Sequence, residues 1–257
     1  TEFVQAGAPE EILYVSKPHI GTFRLVSMVE KIRAQIESLG GEIRFRRRVT
    51  DLRIEGGRLR GLVVTDADTG ATEELDADHV VLALGHSARD TFAMLHARGV
   101  HMEAKPFSVG FRIEHPQSVI DRARLGPNAG HPLLGAADYK LVHHAANGRS
   151  VYSFCMCPGG EIIAATSDPG QLSTNGMSRY ARASGFANAG LIVNQPDDHR
   201  DDPLAGFDVI DRLERACFAA GGSDLSCPAQ SAASFVRGEA GPPRTKEAAD
   251  CAGQLRS

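Results

Sequence analysis

A chain of 257 residues with 28 basic and 32 acidic side chains carries a net charge of −4, too evenly balanced to suggest a nucleic-acid partner. It contains no apolar stretch of transmembrane length and no basic-then-apolar leader, so the expectation is a cytoplasmic protein with no membrane partner. Five cysteines, odd in number and without framework spacing, fit the same reducing compartment.

In chain order, residues 1–17 lack a period and read as an extended lead-in ending in Ile12-Leu13-Tyr14-Val15. Leu25, Met28, Val29, Ile32, Ile36 and Leu39 then fall on one helical face, stopped by Gly40-Gly41. A strand over 42–45 precedes a meander at 49–54, 59–65 and 72–75, with turns at Gly56-Gly57 and Gly70. The apolar run Val80 to Leu84 does not alternate, the pattern of a parallel strand buried on both faces. Gly85 turns the chain, and Ser87 with Asp90 three residues later predicts a capped helix carrying Phe92 and Leu95 to about Arg98.

From His101 the texture changes. Phe107, Val109, Phe111 and Ile113 alternate as in a half-exposed antiparallel strand, and 118–124 forms a short predicted helix. Strands at 151–157 and 161–167 flank Pro158-Gly159-Gly160 as a predicted hairpin. A strand at 191–194, an acidic loop from Pro196 to Pro203, and a helix with Phe207, Ile210, Leu213 and Cys217 follow. The polar, aperiodic residues 238–257 predict a disordered tail.

The segment around Gly85 offers the best site, because the carboxyl edge of a parallel sheet followed by a helix amino terminus is where α/β folds bind cofactors. A plain strand–turn–helix connection without a ligand explains the same residues. His86 stands between strand and helix, where backbone positioning and acid–base work are both open. Arg89, in the first helical turn, is placed to pair with a phosphate or simply with the neighbours of Asp90. Cys155 and Cys157, spaced as C-x-C on a strand, point one way and allow a thiol pair, two metal ligands, or buried structural cysteines; burial predicts that both are reduced, packed and slow to alkylate. A loop position is predicted for His143-His144, and the basic run Arg44 to Arg48 reads as a solvated strand end. No Ser-His-Asp order, H-E-x-x-H or P-loop occurs, so hydrolase chemistry has no foothold.

Seven short segments resemble, in order and spacing, a bacterial family of FAD-dependent dehydrogenases among the glutathione-reductase-like flavoproteins. They are residues 17–22, 82–92, 105–116, 135–141, 152–160, 174–178 and 202–206. The resemblance implies an α/β plus α+β architecture: residues 1–100 as the later half of an FAD-binding domain, 101–237 as an inserted substrate or cap domain, and 238–257 as the tail. It places flavin contacts at Arg48, Val49, Ala83, Leu84, Gly85, His86, Ser87 and Arg89. Members of the family open with a G-x-G-x-x-G turn that holds the FAD diphosphate, whereas this chain has no two glycines at i and i+2. It also lacks the family's closing glycine-rich segment after Gly238.

Two readings follow. In the first, the chain is an interior fragment of an FAD-dependent oxidoreductase whose inserted domain covers the flavin and selects an unidentified small molecule. FAD belongs to the intact parent, and little or none is expected on this chain. In the second, the chain is a non-catalytic module that keeps the fold and binds a partner or nothing.

Overall fold

A computed structural model describes residues 1–16, 18–166, 168–195, 202–239 and 244–246, the last three as backbone only. The described residues group into two compact units, one made of 1–34, 106–195, 210–239 and 244–246, the other of 35–105 and 202–209.

The chain opens with α1 (Glu2–Gln5) and a 3-10 turn at Glu10–Leu13, where sequence predicts extended backbone. Helix α2 (Thr22–Ser38) forms where the periodicity places it, and its first part closes a small core in which Met28 meets Ala6, Ala8, Ile12, Ile20 and Ile32. The helix ends at Gly40, whose φ of +87° suits glycine.

In the second unit, β1 (Arg47–Glu55), β2 (Arg58–Asp66) and β3 (Thr72–Asp76) make an antiparallel meander. Gly56 and Gly57 both have positive φ, the requirement of the tight hairpin between β1 and β2. The second turn is fixed by Asp66, whose Oδ1 accepts the Asp68 and Thr69 N–H groups at 2.8 and 3.1 Å. Residues 42–45 form no strand. The segment 79–84 is not a strand either, which corrects the expectation of a buried parallel strand. All the described strand pairings are antiparallel. A two-faced apolar strand needs a neighbour on each edge and cover on each face; here Val81 is 90 % exposed and Leu82 50 %. Helix α3 (Arg89–Ala97) follows, burying Thr91 and Leu95. Its N-cap is Ala88, without a side-chain cap, so the predicted Ser87–Asp90 pair does not form. Asp90 instead ion-pairs with Arg48.

The first unit is built on a four-stranded antiparallel sheet. Its strands are β4 (Phe107–Pro116), β5 (Val142–His144), β6 (Ser150–Cys157) and β9 (Phe186–Gln195), in the order β4-β9-β6-β5. The alternation read at Phe107 to Ile113 is real. A separate hairpin joins β7 (Gly160–Ala165) to β8 (Ser173–Ser178). The predicted hairpin about Pro158-Gly159-Gly160 is therefore corrected, because β6 pairs with β5 and β9 while β7 pairs with β8. Helix α4 (Gln117–Leu125) begins directly at the end of β4. Helix α5 (Ala205–Ala220) accepts the buried Leu172 N–H on the Glu214 carbonyl at 3.0 Å.

After α5, β10 (Cys227–Ala229) pairs with β11 (Arg244–Lys246), so three residues of the expected tail are extended and paired. Between them α6 (Ala232–Arg237) is capped by Ser231, whose hydroxyl accepts the Ser234 N–H at 3.1 Å, and its Phe235 packs edge-on against Phe111 of β4. Residues 240–243 and 247–257 of that tail, and most of the acidic loop from Pro196, lie outside the described residues.

Candidate functional site

The sequence-predicted site lies in the second unit, and the structure brings its two parts together. Arg48 and Val49 stand near the start of β1. Arg48 Nε donates to Asp90 Oδ2 at 2.9 Å, which holds the opening of α3 beside that strand. This bond keeps the Asp90 carboxyl below the usual carboxylate range. Ala83, Leu84, Gly85, His86 and Ser87 lie in the irregular stretch leading into α3, and Arg89 is the first residue of that helix. Gly85 has φ +69°, and a Cβ there would stand in open space.

Five of the seven segments read from the sequence fall in the first unit, and three of them, 105–116, 152–160 and 174–178, meet at a polar face of its sheet. The register sets Arg112 opposite Gly190 and Glu114 opposite Asn188, which in turn faces Cys157. Directly paired residues share a face, so Arg112, Glu114, Asn188 and Cys157 form one polar group while Phe111 and Ile113 look the other way. Asn188, fully buried, accepts from Arg112 Nη1 at 2.5 Å. Arg112 also donates to Asn175 Oδ1 at 3.3 Å and to the Cys155 carbonyl at 3.4 Å. Gly176 of β8 backs onto this pair so closely that a Cβ would overlap Arg112 Nη1 and Asn188 Oδ1. A second polar triangle on the same sheet joins Ser108, Tyr152 and Asn194, with Ser108 Oγ 2.6 Å from Tyr152 Oη and 2.8 Å from Asn194 Oδ1.

The C-x-C pair does not sit on a regular strand. β6 bulges against β9 between Phe154 and Cys157, and Cys155 takes φ +43°. The two side chains therefore do not share one environment: Cys155 is exposed and Cys157 half-buried, correcting the expectation that both are packed. Burial pushes the Cys157 thiol up, opposed by the Arg112 and Arg182 guanidiniums, and its Sγ lies 3.3 Å from the Cys155 carbonyl. Among the described residues no group of three potential ligands could hold a metal ion.

The turn after the pair is held by Gln117, which is 6 % exposed. Its Oε1 accepts the Gly159 N–H at 2.9 Å, and its Nε2 donates to Asp121 Oδ1 at 2.7 Å and to the Ala137 carbonyl at 2.8 Å. Asp121 also accepts the Ala137 N–H at 2.8 Å. Next to it, the His115 ring nitrogen Nε2 and Tyr139 Oη are 2.9 Å apart, and burial pushes the Tyr139 phenol up. At the other end of β8, His19 Nε2 lies 3.2 Å from the Arg179 carbonyl. The Arg24 guanidinium rests 3.8 Å above the Tyr180 ring, whose hydroxyl donates to Glu11. His143 and His144, predicted in a loop, belong to the exposed strand β5.

Arg112, Asn188, Gln117 and Arg182 were not singled out by sequence. Arg112 and Glu114 carried a signal, since they occupy the polar phase of the Phe107–Ile113 alternation. Asn188 and Gln117 carried none, because what makes them notable is burial by distant segments.

Residues 106–254 match the family described as FAD-dependent protein, C-terminal domain-like. The chain belongs to this family. An uncharacterised protein of Clostridium beijerinckii is 41 % identical over 239 residues, which cover 92 % of this chain and 44 % of that relative. The chain therefore spans less than half the length of the relative it matches. The family match covers the polar sheet face, the C-x-C bulge and the Gln117 turn, and makes this a flavoprotein-associated domain of mixed α and β structure with antiparallel sheets. No helix among the described residues is long and apolar enough to cross a membrane.

Proposed function

We propose that the chain is part of an FAD-dependent oxidoreductase with a glutathione-reductase-like FAD domain. Its second unit supplies the flavin-contacting stretch Ala83 to Arg89 with Arg48 and Val49, and its first unit recognises the substrate. The match of residues 106–254 to an FAD-dependent family carries this reading. Bound FAD supplies the electron acceptor. The chain's own residues orient and contact it.

The residues fit one part of that task. Leu82 and Leu84 are exposed, and the left-handed Gly85 leaves space for a ligand against the backbone. They do not fit a grip on the diphosphate: no G-x-G-x-x-G turn is present, and Arg48 is already paired to Asp90. The missing turn favours, for the chain by itself, the second reading of a module that carries no cofactor.

Titrating FAD with the 257-residue chain and following flavin fluorescence tests the proposal. Weak, saturable quenching is expected, and Gly85→Val should abolish it, because a branched side chain resists positive φ and fills the approach to the backbone. Quenching that Gly85→Val leaves intact would remove this turn from the cofactor site.

A further inference from the structure

Arg112 and Arg182 carry positive charge into a half-buried place that the flavin reading does not use. Arg182 lies in the turn before β9 with φ +49°, packed so closely on Gly159 that a Cβ there would overlap its carbonyl. Both guanidiniums act electrostatically on Cys157. Buried or half-buried cations are costly unless a partner offsets them. Arg112 has two asparagine oxygens, one carbonyl and the Cys157 thiol as partners, and among the described residues no carboxylate is paired with either arginine. The thiol beside them is a poor counter-ion, because burial pushes Cys157 up, towards its neutral form. Glu114, on the same face of the sheet, accepts the Ile162 N–H at 3.5 Å.

Two donors in this cluster are left over. Arg182 Nε and Asn188 Nδ2 are both buried without a hydrogen-bond partner, and Asn188 is fully buried. Buried donors of this kind are rare unless a ligand or water completes them. Guanidinium groups match planar oxyanions through paired N–H donors.

We propose that Arg112, Arg182 and Asn188 form a binding site for a small oxyanion, foremost the carboxylate of an organic acid, at the C-x-C bulge. That this anion is part of the oxidoreductase's substrate rests on the preceding reading; its binding does not. The exposed Cys155, whose carbonyl Arg112 touches, reports on occupancy.

The experiment follows N-ethylmaleimide labelling of Cys155, mapped by peptide mass, in the 257-residue chain with malonate, inorganic phosphate or the neutral dimethyl malonate at matched ionic strength. Malonate should slow labelling saturably while the diester does not. Arg112→Gln and Arg182→Gln should each weaken that protection at least about tenfold, the loss of one charge-assisted contact. If Arg112→Gln fails to fold, Arg182→Gln carries the test, since Arg182 Nε makes no hydrogen bond for the substitution to break. Protection by phosphate alone would support the oxyanion site and assign it to a phosphate. Equal protection by the diester, or none by any probe, would overturn it. FAD titrated in parallel separates the two readings, because protection without FAD binding leaves the anion site standing and the flavin proposal without support.

Discussion

At the scale of single residues, the two cysteines and the Arg48–Asp90 pair make the sharpest claims. Cys155 stands exposed in a left-handed conformation, whereas Cys157 is half-buried with its thiol pushed up by that burial. Since the thiolate is the reactive form, Cys155 should alkylate faster than Cys157 in the native chain, and equal rates would contradict the bulge geometry. The Arg48–Asp90 pair is more than a third exposed on both sides, so its contribution is modest. Asp90→Asn should lower stability by less than about 1 kcal/mol, and less still in high salt. The sign with pH follows from a depressed carboxyl: the stabilisation is fully present above the ordinary value of 3.8 and is lost as pH falls below it. Chemical denaturation of both proteins at neutral pH and near pH 3 checks this, because the difference between them should shrink in acid.

At the scale of elements, what the sequence made legible depended on whether local pattern or distant partners decide the structure. Helix α2 and the meander β1–β3 follow directly from spacing and from Gly56-Gly57, because their stabilising contacts are near in sequence. The strand expected at 79–84 fails for the opposite reason. Val80 to Leu84 has the composition of a buried strand, but burial is a property of neighbours, and no described strand pairs with it. The hairpin about Pro158-Gly159-Gly160 misleads similarly: a good turn signal joins two strands, yet each finds a better partner elsewhere. The candidate site shows the same division. The turn at Gly85 was legible from local pattern and Arg48 came only through the family resemblance, whereas the Arg112–Asn188 contact, between partners 76 positions apart, was not legible. Gln117 gives an element-scale test, since it ties the start of α4 to the Gly159 turn and to Ala137. Gln117→Ala leaves a buried N–H and a buried carbonyl unpaired and should cost about 2–4 kcal/mol. A denaturant midpoint unchanged by this substitution would show that the turn does not depend on the glutamine.

At the scale of the whole molecule, the open question is how much flavin binding resides in these 257 residues. The chain spans 44 % of the length of its relative, and the family match falls on residues 106–254, whereas the stretch proposed to touch flavin lies at 83–89 with Arg48 and Val49. That stretch offers exposed backbone and apolar side chains but no glycine-rich diphosphate turn. Charge-assisted hydrogen bonds to a diphosphate contribute roughly 1.5–3 kcal/mol each, so doing without several of them weakens binding by orders of magnitude. The 257-residue chain should therefore purify with far less than one FAD per molecule, read from its visible flavin absorbance against protein concentration. A stoichiometric flavin spectrum from the 257-residue chain would mean that backbone groups around Gly85 hold the cofactor without a diphosphate turn, and the weak quenching expected in titration would then be wrong as well.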